Sequence, residues 1–290
     1  MSVIKNREGQ IVQSSASQDR VLAALYGSVW GRMLLRPLVS PVVSKVAGAF
    51  LSSRLSVGLI KPFIRQNGID MEPYEPTDYR SYNEFFSRKI RPERRPIEQK
   101  PACLIAPCDS KLTVLPISEE CVFTLKHTPY TVASLLKNEE LAAQYEGGYA
   151  LIFRLTVDDY HRYCYMADGE KTANTRIPGV LHTVNPIAND VYPIYKENSR
   201  EYTTLHTEAF GDLLIMEVGA LLVGRIVNHH QAAKVHRGQE KGYFQFGGST
   251  VVVLLQKNAA VIDEDLLANS LEGVETVVKM GEVIGESLRV

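Results

Sequence analysis

The chain has 290 residues, of which 45% are hydrophobic and 22% are charged, with a formal net charge of -1. This composition argues against disorder and leaves enough chain for one large domain or two modest ones. Four scattered cysteines without a C-x-x-C pair argue against a disulfide framework and a structural zinc site, and indicate a reducing compartment.

The charge is unevenly placed along the chain. Residues 1–100 carry 16 Lys and Arg against 9 Asp and Glu, whereas residues 101–290 carry 16 against 24. A basic front half favours an anionic partner, either a nucleic acid or a membrane surface, although solvated surface charge would give the same balance.

The first predicted elements are short helices in the apolar stretch 21–50. Arg32, Arg36 and Lys45 interrupt this stretch, so it lacks the roughly 18 uninterrupted apolar residues of a membrane span. It predicts amphipathic helices within an N-terminal helical region, residues 1–75. Such helices lie in a bilayer interface or pack on a protein core, and the pattern alone leaves both open.

The segment NEFFSRKIRPERRPI (83–97) places Phe85 and Phe86 beside five basic residues at 88–95. Aromatic residues interleaved with arginine are typical of nucleic-acid patches. No nucleic-acid-binding motif accompanies them, and the two prolines favour a fixed loop. No nucleic-acid partner is therefore predicted.

From about residue 101 the sequence changes to short β-type runs separated by turns. Their length and β-branched content favour strands at 111–117, 149–157, 211–227 and 249–255. Residues 128–145 read as a helix. The pattern predicts an α+β fold with a β-rich, largely antiparallel domain over residues 76–290, following the N-terminal helical segment.

Polar side chains that could perform chemistry stand at the turns between these strands. A turn aspartate usually bonds its own backbone, and a histidine among aromatic residues is often structural, so each residue also has a non-catalytic interpretation. The histidines at 229, 230 and 236 lack a supporting carboxylate motif, and no metal site is predicted. The candidates are Asp109, Asp158, Asp159, His161, Arg162, Cys164, His182 and Asn185.

The stretch GGST (247–250) precedes a run of five apolar residues. As a hairpin turn it would need glycine only for positive φ. Alternatively, the Ser249 hydroxyl attacks the Gly248 carbonyl and converts the amide into an ester through an oxyanion. Elimination then releases the upstream chain and leaves a dehydroalanine, which tautomerises and hydrolyses to a pyruvoyl group. This carbonyl forms a Schiff base with an amine and accepts electrons.

The ordered motifs resemble the phosphatidylserine decarboxylase family, in the form whose cleavage motif reads GGST. The resemblance covers residues 75–285 and implies cleavage between Gly248 and Ser249. The products would be a β chain (1–248) and an α chain (249–290) that stay associated. The matching segments are NEFFSRKIRPERRPI, the aspartate of PCDSK (107–111), DYHR (159–162), TVNPIA (183–188), 200–226 and GQEKGYFQFGGSTV (238–251).

The resemblance also implies roles for individual side chains. Ser249 would become the pyruvoyl group, Asp109 would belong to the charge-relay set for cleavage, and His161 would act in decarboxylation. Cys164 stands where the family usually has a second histidine, and a cysteine is a base only as a thiolate. Either His161 covers both duties, or Cys164 is activated, or processing is slow or absent. Cys108 and Ser110 also depart from the family, which usually has glycines at these two positions.

The expected function is pyruvoyl-dependent decarboxylation of phosphatidylserine to phosphatidylethanolamine and CO2. The enzyme would be a peripheral membrane protein of the cytoplasmic face, held on an anionic surface by its N-terminal segment. Two alternatives are a pyruvoyl decarboxylase of a soluble amino acid and an unprocessed relative that binds lipid without chemistry. The sequence leaves open whether the cleaved heterodimer forms a homo-oligomer.

Overall fold

The computed structural model describes residues 3–12, 41–125, 128–183, 194–220, 225–245 and 249–289. Gly248, Asn185 and residues 21–40 of the predicted helical stretch lie outside these ranges. The described helices are α1 (Pro41–Leu51), α2 (Ile60–Asn67), α3 (Tyr82–Phe86), α4 (Val132–Leu136), α5 (Glu139–Ala143), α6 (Ile194–Glu197) and α7 (Glu264–Leu271), with 3-10 turns at Arg54–Leu59 and Pro92–Arg94.

The strands account for most of the regular structure after residue 100. They are β1 (Ile4–Lys5), β2 (Cys103–Ile105), β3 (Ser110–Pro116), β4 (Val122–Leu125), β5 (Thr128–Thr131), β6 (Tyr149–Leu155), β7 (Arg162–Cys164), β8 (Gly169–Lys171), β9 (Thr175–Ile177), β10 (Arg200–Thr207), β11 (Gly211–Val218), β12 (Ile226–Asn228), β13 (Ala233–Val235), β14 (Glu240–Phe244), β15 (Ser249–Leu255), β16 (Ala260–Ile262), β17 (Glu275–Val278) and β18 (Val283–Ser287).

Within the described ranges, ten strands form the main sheet in the order β1-β17-β3-β6-β15-β11-β10-β8-β13, with β9 also on β10. All its pairs are antiparallel except β1 with β17. Smaller sheets join β12-β14-β7, β16-β18-β2 and β4-β5. The predicted β-rich, mostly antiparallel α+β fold is confirmed.

Strand β15 lies at the centre of the main sheet, between β6 and β11. Val251, Val253 and Leu255 point into one apolar core, whereas Val252 and Leu254 point into the core on the opposite face. Side chains alternate between the faces of a strand, so a strand covered on both sides must be apolar throughout. This explains the unbroken run after Thr250.

The helices between residues 41 and 86 pack into a separate apolar cluster. This helical cluster includes Tyr160, so it contacts the β-rich half. Its members lie on both sides of residue 75, and the domain boundary predicted there stays a prediction. At α3, Ser81 caps the first turn by accepting the Glu84 amide N–H at 3.2 Å. The buried members are Leu51, Ile60, Ile69, Tyr74, Tyr82, Phe85, Phe86, Ile90 and Tyr160.

The prediction of a helix over residues 128–145 was partly wrong. The segment begins with β5, and its helical part is divided into α4 and α5. Lys137 ends α4 in a left-handed conformation (φ 54°), and the Asn138 side chain then caps α5 by accepting the Leu141 N–H at 3.0 Å. Asparagine favours caps over helix interiors, which explains the break.

A buried ion pair joins β17 to β6. Arg154 donates from Nε and Nη2 to the two Glu275 oxygens at 2.7 and 2.6 Å, and both residues are less than 10% exposed. Replacing Glu275 with alanine would leave the guanidinium buried without a partner, so the free energy of unfolding should fall by about 3–5 kcal/mol.

Urea unfolding measures this effect best in a Ser249→Ala background, where the expected chain stays in one piece. Glu272→Ala is the matched control, because Glu272 pairs with Lys5 at the surface and should cost less than about 1 kcal/mol. Equal effects for the two variants would contradict the assigned importance of the buried pair.

Candidate active site

The pairing register brings several motif residues together along one end of the strands of the main sheet. Ser249 begins β15 and is opposite Leu155, the last residue of β6. Ser110 begins β3 and is opposite Val278, the last residue of β17. Because Lys111 faces Arg154, Ser110 is in line with Leu155, and the four residues form one row. Neighbouring strands are about 4.8 Å apart, so Ser110 and Ser249 are separated by roughly 10 Å.

The loops that leave this row carry most of the predicted site residues. Asp109 precedes β3, and residues 156–161, which contain Asp159 and His161, follow β6. His161 is linked to the segment before Ser249, because its carbonyl accepts the Phe244 amide N–H at 3.0 Å. The sheet topology therefore brings together residues far apart in sequence, although no hydrogen bond joins Ser249, His161 and Asp109 within the described residues.

Ser249 has a buried side chain with 1% of its surface exposed. Its Oγ has no hydrogen-bond partner among the described residues. Buried hydroxyls are usually bonded, so an unbonded one next to a peptide bond of suspected reactivity requires a reason. An attacking hydroxyl must keep its lone pairs available for the carbon that it attacks.

His161 is fully buried against the Phe86 ring, with ring centroids 4.0 Å apart. Its Nδ1 is 2.9 Å from the Asp159 carbonyl oxygen. A carbonyl oxygen only accepts, so Nδ1 carries the proton and Nε2 keeps its lone pair. Nε2 is also buried without a partner in the described ranges.

Burial, followed by the nearby positive charge of Arg88, lowers the pKa of His161 to about 3. The ring is therefore neutral at physiological pH, with Nε2 able to accept a proton.

Asp159 holds the loop that presents this histidine. Its carboxylate accepts two bonds from Lys111 Nζ, at 2.7 and 2.9 Å, and a further bond from the Thr156 backbone N–H at 2.7 Å. Lys111 lies on β3 and Thr156 directly follows β6, so the loop is fixed to two neighbouring strands. Asp159 thus has a structural role here, with its carboxylate occupied.

Asp109 is buried beside an arginine. Arg95 donates to both carboxylate oxygens, with Nε to Oδ1 at 2.8 Å, and the Met280 amide N–H donates to Oδ1 at 2.9 Å. Burial by itself raises the pKa of Asp109, but the Arg95 hydrogen bond and the Lys279 and Arg95 charges outweigh it, so this pKa lies below its usual value. Asp109 is therefore an ionised carboxylate, and its partners here are cations and an amide.

Three residues that contact Asp109 also line a groove of about 590 Å³: Arg95, Lys279 and Met280. Asp109 therefore lies directly behind the wall of this groove.

Cys164 ends β7 and is 2% exposed within the same core layer as Val251. Burial raises the pKa of its thiol to about 12. The cysteine is consequently a neutral thiol at physiological pH and a poor general base. The structure gives no support to an activated Cys164, one of the three options that the sequence left open.

His182 and Arg162 have mainly structural contacts. The His182 backbone N–H donates to the Asn198 side chain at 2.9 Å. Arg162 Nε donates to the Ser87 carbonyl at 2.8 Å, and its Nη1 to Glu240 at 2.7 Å. Arg162 thereby fastens β7 to the segment that follows α3.

The contacts of the basic residues at 88–95 were not predicted from the sequence, where the segment was interpreted as a nucleic-acid patch or a fixed loop. Arg88 is buried, Arg95 binds Asp109, and Arg91 and Arg94 pair with Glu72. For Arg88, its position two residues after the buried aromatic pair of α3 was the available signal, because buried neighbours in a short turn favour burial of the next side chains.

A fully buried ion pair was also missed. Lys241 Nζ is 2.7 Å from Glu217 Oε1, and neither side chain is exposed. Glu217 is opposite Val251 on β15, two residues from Ser249. No metal-binding group of three or more His, Cys, Asp or Glu occurs in the described part of the chain.

Together, these features define a β-rich protein whose central strand begins with a buried, unbonded serine, beside a loop carrying a neutral buried histidine. The sequence profile of the family described as phosphatidylserine decarboxylase matches residues 82–286. The chain belongs to the phosphatidylserine decarboxylase family, and the predicted enzyme class, a decarboxylase made as a proenzyme, is confirmed.

Three relatives illustrate the similarity. Phosphatidylserine decarboxylase proenzyme 2 of Clostridium acetobutylicum is 47% identical over 268 residues, covering 92% of this chain and 91% of the relative. The proenzyme of Clostridium botulinum is 39% identical over 246 residues, 83% of each chain. That of Ruminiclostridium cellulolyticum is 37% identical over 275 residues, 93% of this chain and 92% of the relative.

Proposed function

We propose that this chain cleaves itself between Gly248 and Ser249 and then decarboxylates phosphatidylserine to phosphatidylethanolamine. The observation that carries the proposal is the buried Ser249 hydroxyl without a partner at the start of the central strand. It follows two glycines in a chain whose relatives are named phosphatidylserine decarboxylase proenzymes. This placement fits a serine that is the precursor of a pyruvoyl group.

The cleavage would proceed in balanced steps. Ser249 Oγ loses its proton to a base and attacks the Gly248 carbonyl carbon, and the C–N bond breaks as its nitrogen is protonated, giving an ester. A base then removes the Ser249 Cα proton and the Gly248 carboxylate leaves. The resulting enamine takes up a proton at Cβ and becomes an imine, and water then hydrolyses the imine to the pyruvoyl ketone and ammonia. Neutral His161, with its Nε2 lone pair, is the proposed base because the Cys164 thiol stays protonated.

The structure explains how the two products would stay together. The proposed α chain (249–290) contributes β15 to the centre of the main sheet, where it pairs with β6 and β11. It also contributes β17, which pairs with β3, and Glu275, which binds the buried Arg154. Separation would expose both cores, so a stable heterodimer is proposed.

The pyruvoyl group would supply a ketone carbonyl that condenses with the substrate amine and accepts electrons as carbon dioxide departs. The protein side chains would exclude water and move protons. His161 would donate the final proton after it has accepted one, since its ring is buried against Phe86 and Nε2 has no partner among the described residues. Burial of Ser249 and His161 keeps this chemistry away from solvent.

The direct test is to measure intact mass and CO2 release on the purified protein. The expected result is two polypeptides and release of labelled CO2 from vesicles of phosphatidylserine that is labelled in its carboxyl group. Free carboxyl-labelled L-serine should release no labelled CO2. A cleaved protein that decarboxylates only free amino acids would favour the soluble-substrate alternative. An uncleaved protein that binds lipid without releasing CO2 would favour the inactive lipid-binding alternative.

The same proposal includes attachment to the cytoplasmic face of an anionic membrane. Large apolar side chains are exposed on α1 and the following turn, including Val46 (68%), Phe50 (48%) and Leu55 (82%). Exposed Arg54, Lys61 and Arg65 accompany them. Apolar residues flanked by cations suit the interface of an anionic bilayer. The described helices include none with the length and apolarity to span a bilayer.

Replacing Leu55 and Phe50 with serine should weaken sedimentation with phosphatidylserine-containing vesicles about tenfold or more, because both side chains would lose burial in the lipid. Leu271→Ser is the matched control, since Leu271 is equally exposed (83%) on α7. An equal loss of vesicle binding in the Leu271→Ser control would argue against the proposed surface. Binding that is the same to neutral and to anionic vesicles would also argue against it.

A further inference from the structure

Arg88 is a buried cation that the proposed mechanism leaves unused. Its side chain is buried, with 2% of the residue exposed, yet it pairs with no carboxylate in the described ranges. Nη2 donates to the Tyr74 hydroxyl at 3.1 Å and lies 3.5 Å from the Asp158 carbonyl. Nε and Nη1 are buried without hydrogen-bond partners among the described residues.

Burying the Arg88 guanidinium without acceptors costs free energy unless a ligand supplies those acceptors. A buried guanidinium needs a counter-charge and acceptors for its N–H groups. The rings of Tyr74 and Phe85 lie 4.2 and 5.0 Å from its central carbon and offer partial compensation by cation–π contact. They cannot accept the in-plane N–H bonds. An oxyanion would supply both the charge and the acceptors.

Arg88 lies beside the predicted catalytic histidine. Phe86, two residues earlier, packs its ring on His161 at 4.0 Å. The carbonyl of Ser87 accepts the Arg162 Nε bond, which ties the residue before Arg88 to the residue after His161. The positive charge of Arg88 also disfavours protonation of His161, and it contributes to the lowered pKa of the ring.

We infer that Arg88 binds an oxyanion of the substrate headgroup and orients that headgroup toward His161. This inference rests on the proposed function. Phosphatidylserine carries two such groups, a carboxylate and a phosphodiester, and both suit an arginine. Arg88 would therefore be a determinant of substrate specificity that selects a headgroup with an anion near its amine.

The test uses the processed enzyme and the variants Arg88→Gln and Arg88→Lys. Chain cleavage precedes substrate binding, so a cleaved variant has folded. The expected result is normal cleavage with a KM for phosphatidylserine raised about 10–100-fold for glutamine, the loss typical of a charge-assisted bond. Lysine should restore part of the affinity. Arg91→Gln is the matched control, because Arg91 is a partly exposed neighbour paired with Glu72, and its KM should stay unchanged.

Inhibition by the product separates the two oxyanions. Phosphatidylethanolamine keeps the phosphodiester and lacks the carboxylate. If its inhibition weakens in Arg88→Gln as much as the KM rises, Arg88 binds the phosphodiester; unchanged inhibition assigns it the carboxylate. An unaltered KM in cleaved Arg88→Gln overturns the inference, and so does failure of both variants to be cleaved, which would assign Arg88 to the fold. A wild-type protein without cleavage or CO2 release instead overturns the proposed function itself.

Discussion

Replacement of Ser249 by alanine is expected to leave the polypeptide as a single chain and to abolish decarboxylation. The wild-type protein should give two fragments, residues 1–248 and 249–290. Alanine has no hydroxyl to attack the Gly248 carbonyl, and Ser249 is the residue that begins the central strand. Intact-mass measurement after purification, followed by release of CO2 from phosphatidylserine vesicles, reads both effects.

The Ser249→Ala variant should remove the hydroxyl without disturbing the fold. The Ser249 Oγ has no hydrogen-bond partner in the described structure, so its loss should leave folding intact. Ser134→Ala, at a half-buried position of α4, controls for a serine substitution and should be cleaved normally. A Ser249→Ala protein that still separates into two fragments would show that the hydroxyl does not break the chain.

Replacement of His161 by glutamine is expected to have the second largest effect. If His161 acts as base in cleavage and as proton donor in decarboxylation, both rates should fall by about 10²–10⁴-fold, the usual contribution of a positioned acid or base. Cys164→Ala is the control, because its neutral buried thiol should contribute little to either step. A larger cleavage defect in Cys164→Ala than in His161→Gln would reverse the assignment.

The neutral state of His161 has its own measurable consequence. Burial lowers its pKa from 6.5 to about 3, so between these values the unfolded chain binds a proton that the folded chain does not. Stability is therefore lost as the pH falls below 6.5. In the uncleaved Ser249→Ala background, moving from pH 7 to pH 5 should remove about 2 kcal/mol through this group. The His161→Gln variant should lack that loss in urea unfolding, and equal pH dependence would contradict a buried neutral histidine.

Some of the site could be predicted because its signals are local. Gly-Gly-Ser-Thr followed by five apolar residues indicated a candidate reactive serine and a strand, and the predicted strand bounds 249–255 agree with β15. The helix expected over 128–145 was less accurate, since one left-handed residue and one asparagine cap suffice to divide it. Propensity favours helices broadly, but caps decide where they end.

The electrostatic state of the candidate residues could not be predicted from the sequence. Asp109 was expected in a charge-relay set, and its carboxylate pairs with Arg95 and accepts the amide N–H of Met280, 171 residues away along the chain. Arg88 belonged to a basic segment that resembled surface charge, and folding places it among aromatic rings next to His161. Only long-range packing determines which charges lie near one another.

The amino-acid sequence by itself determined the β-rich antiparallel class and the family, and it singled out the serine that is proposed to react, because these depend on neighbouring residues and on ordered motifs. Tertiary structure decided that Cys164 remains a thiol, that His161 keeps its Nε2 lone pair, and which cation faces which carboxylate. The physical reason is that pKa and hydrogen bonding depend on burial and on partners across the sheet. Those partners are brought together only when distant strands pair.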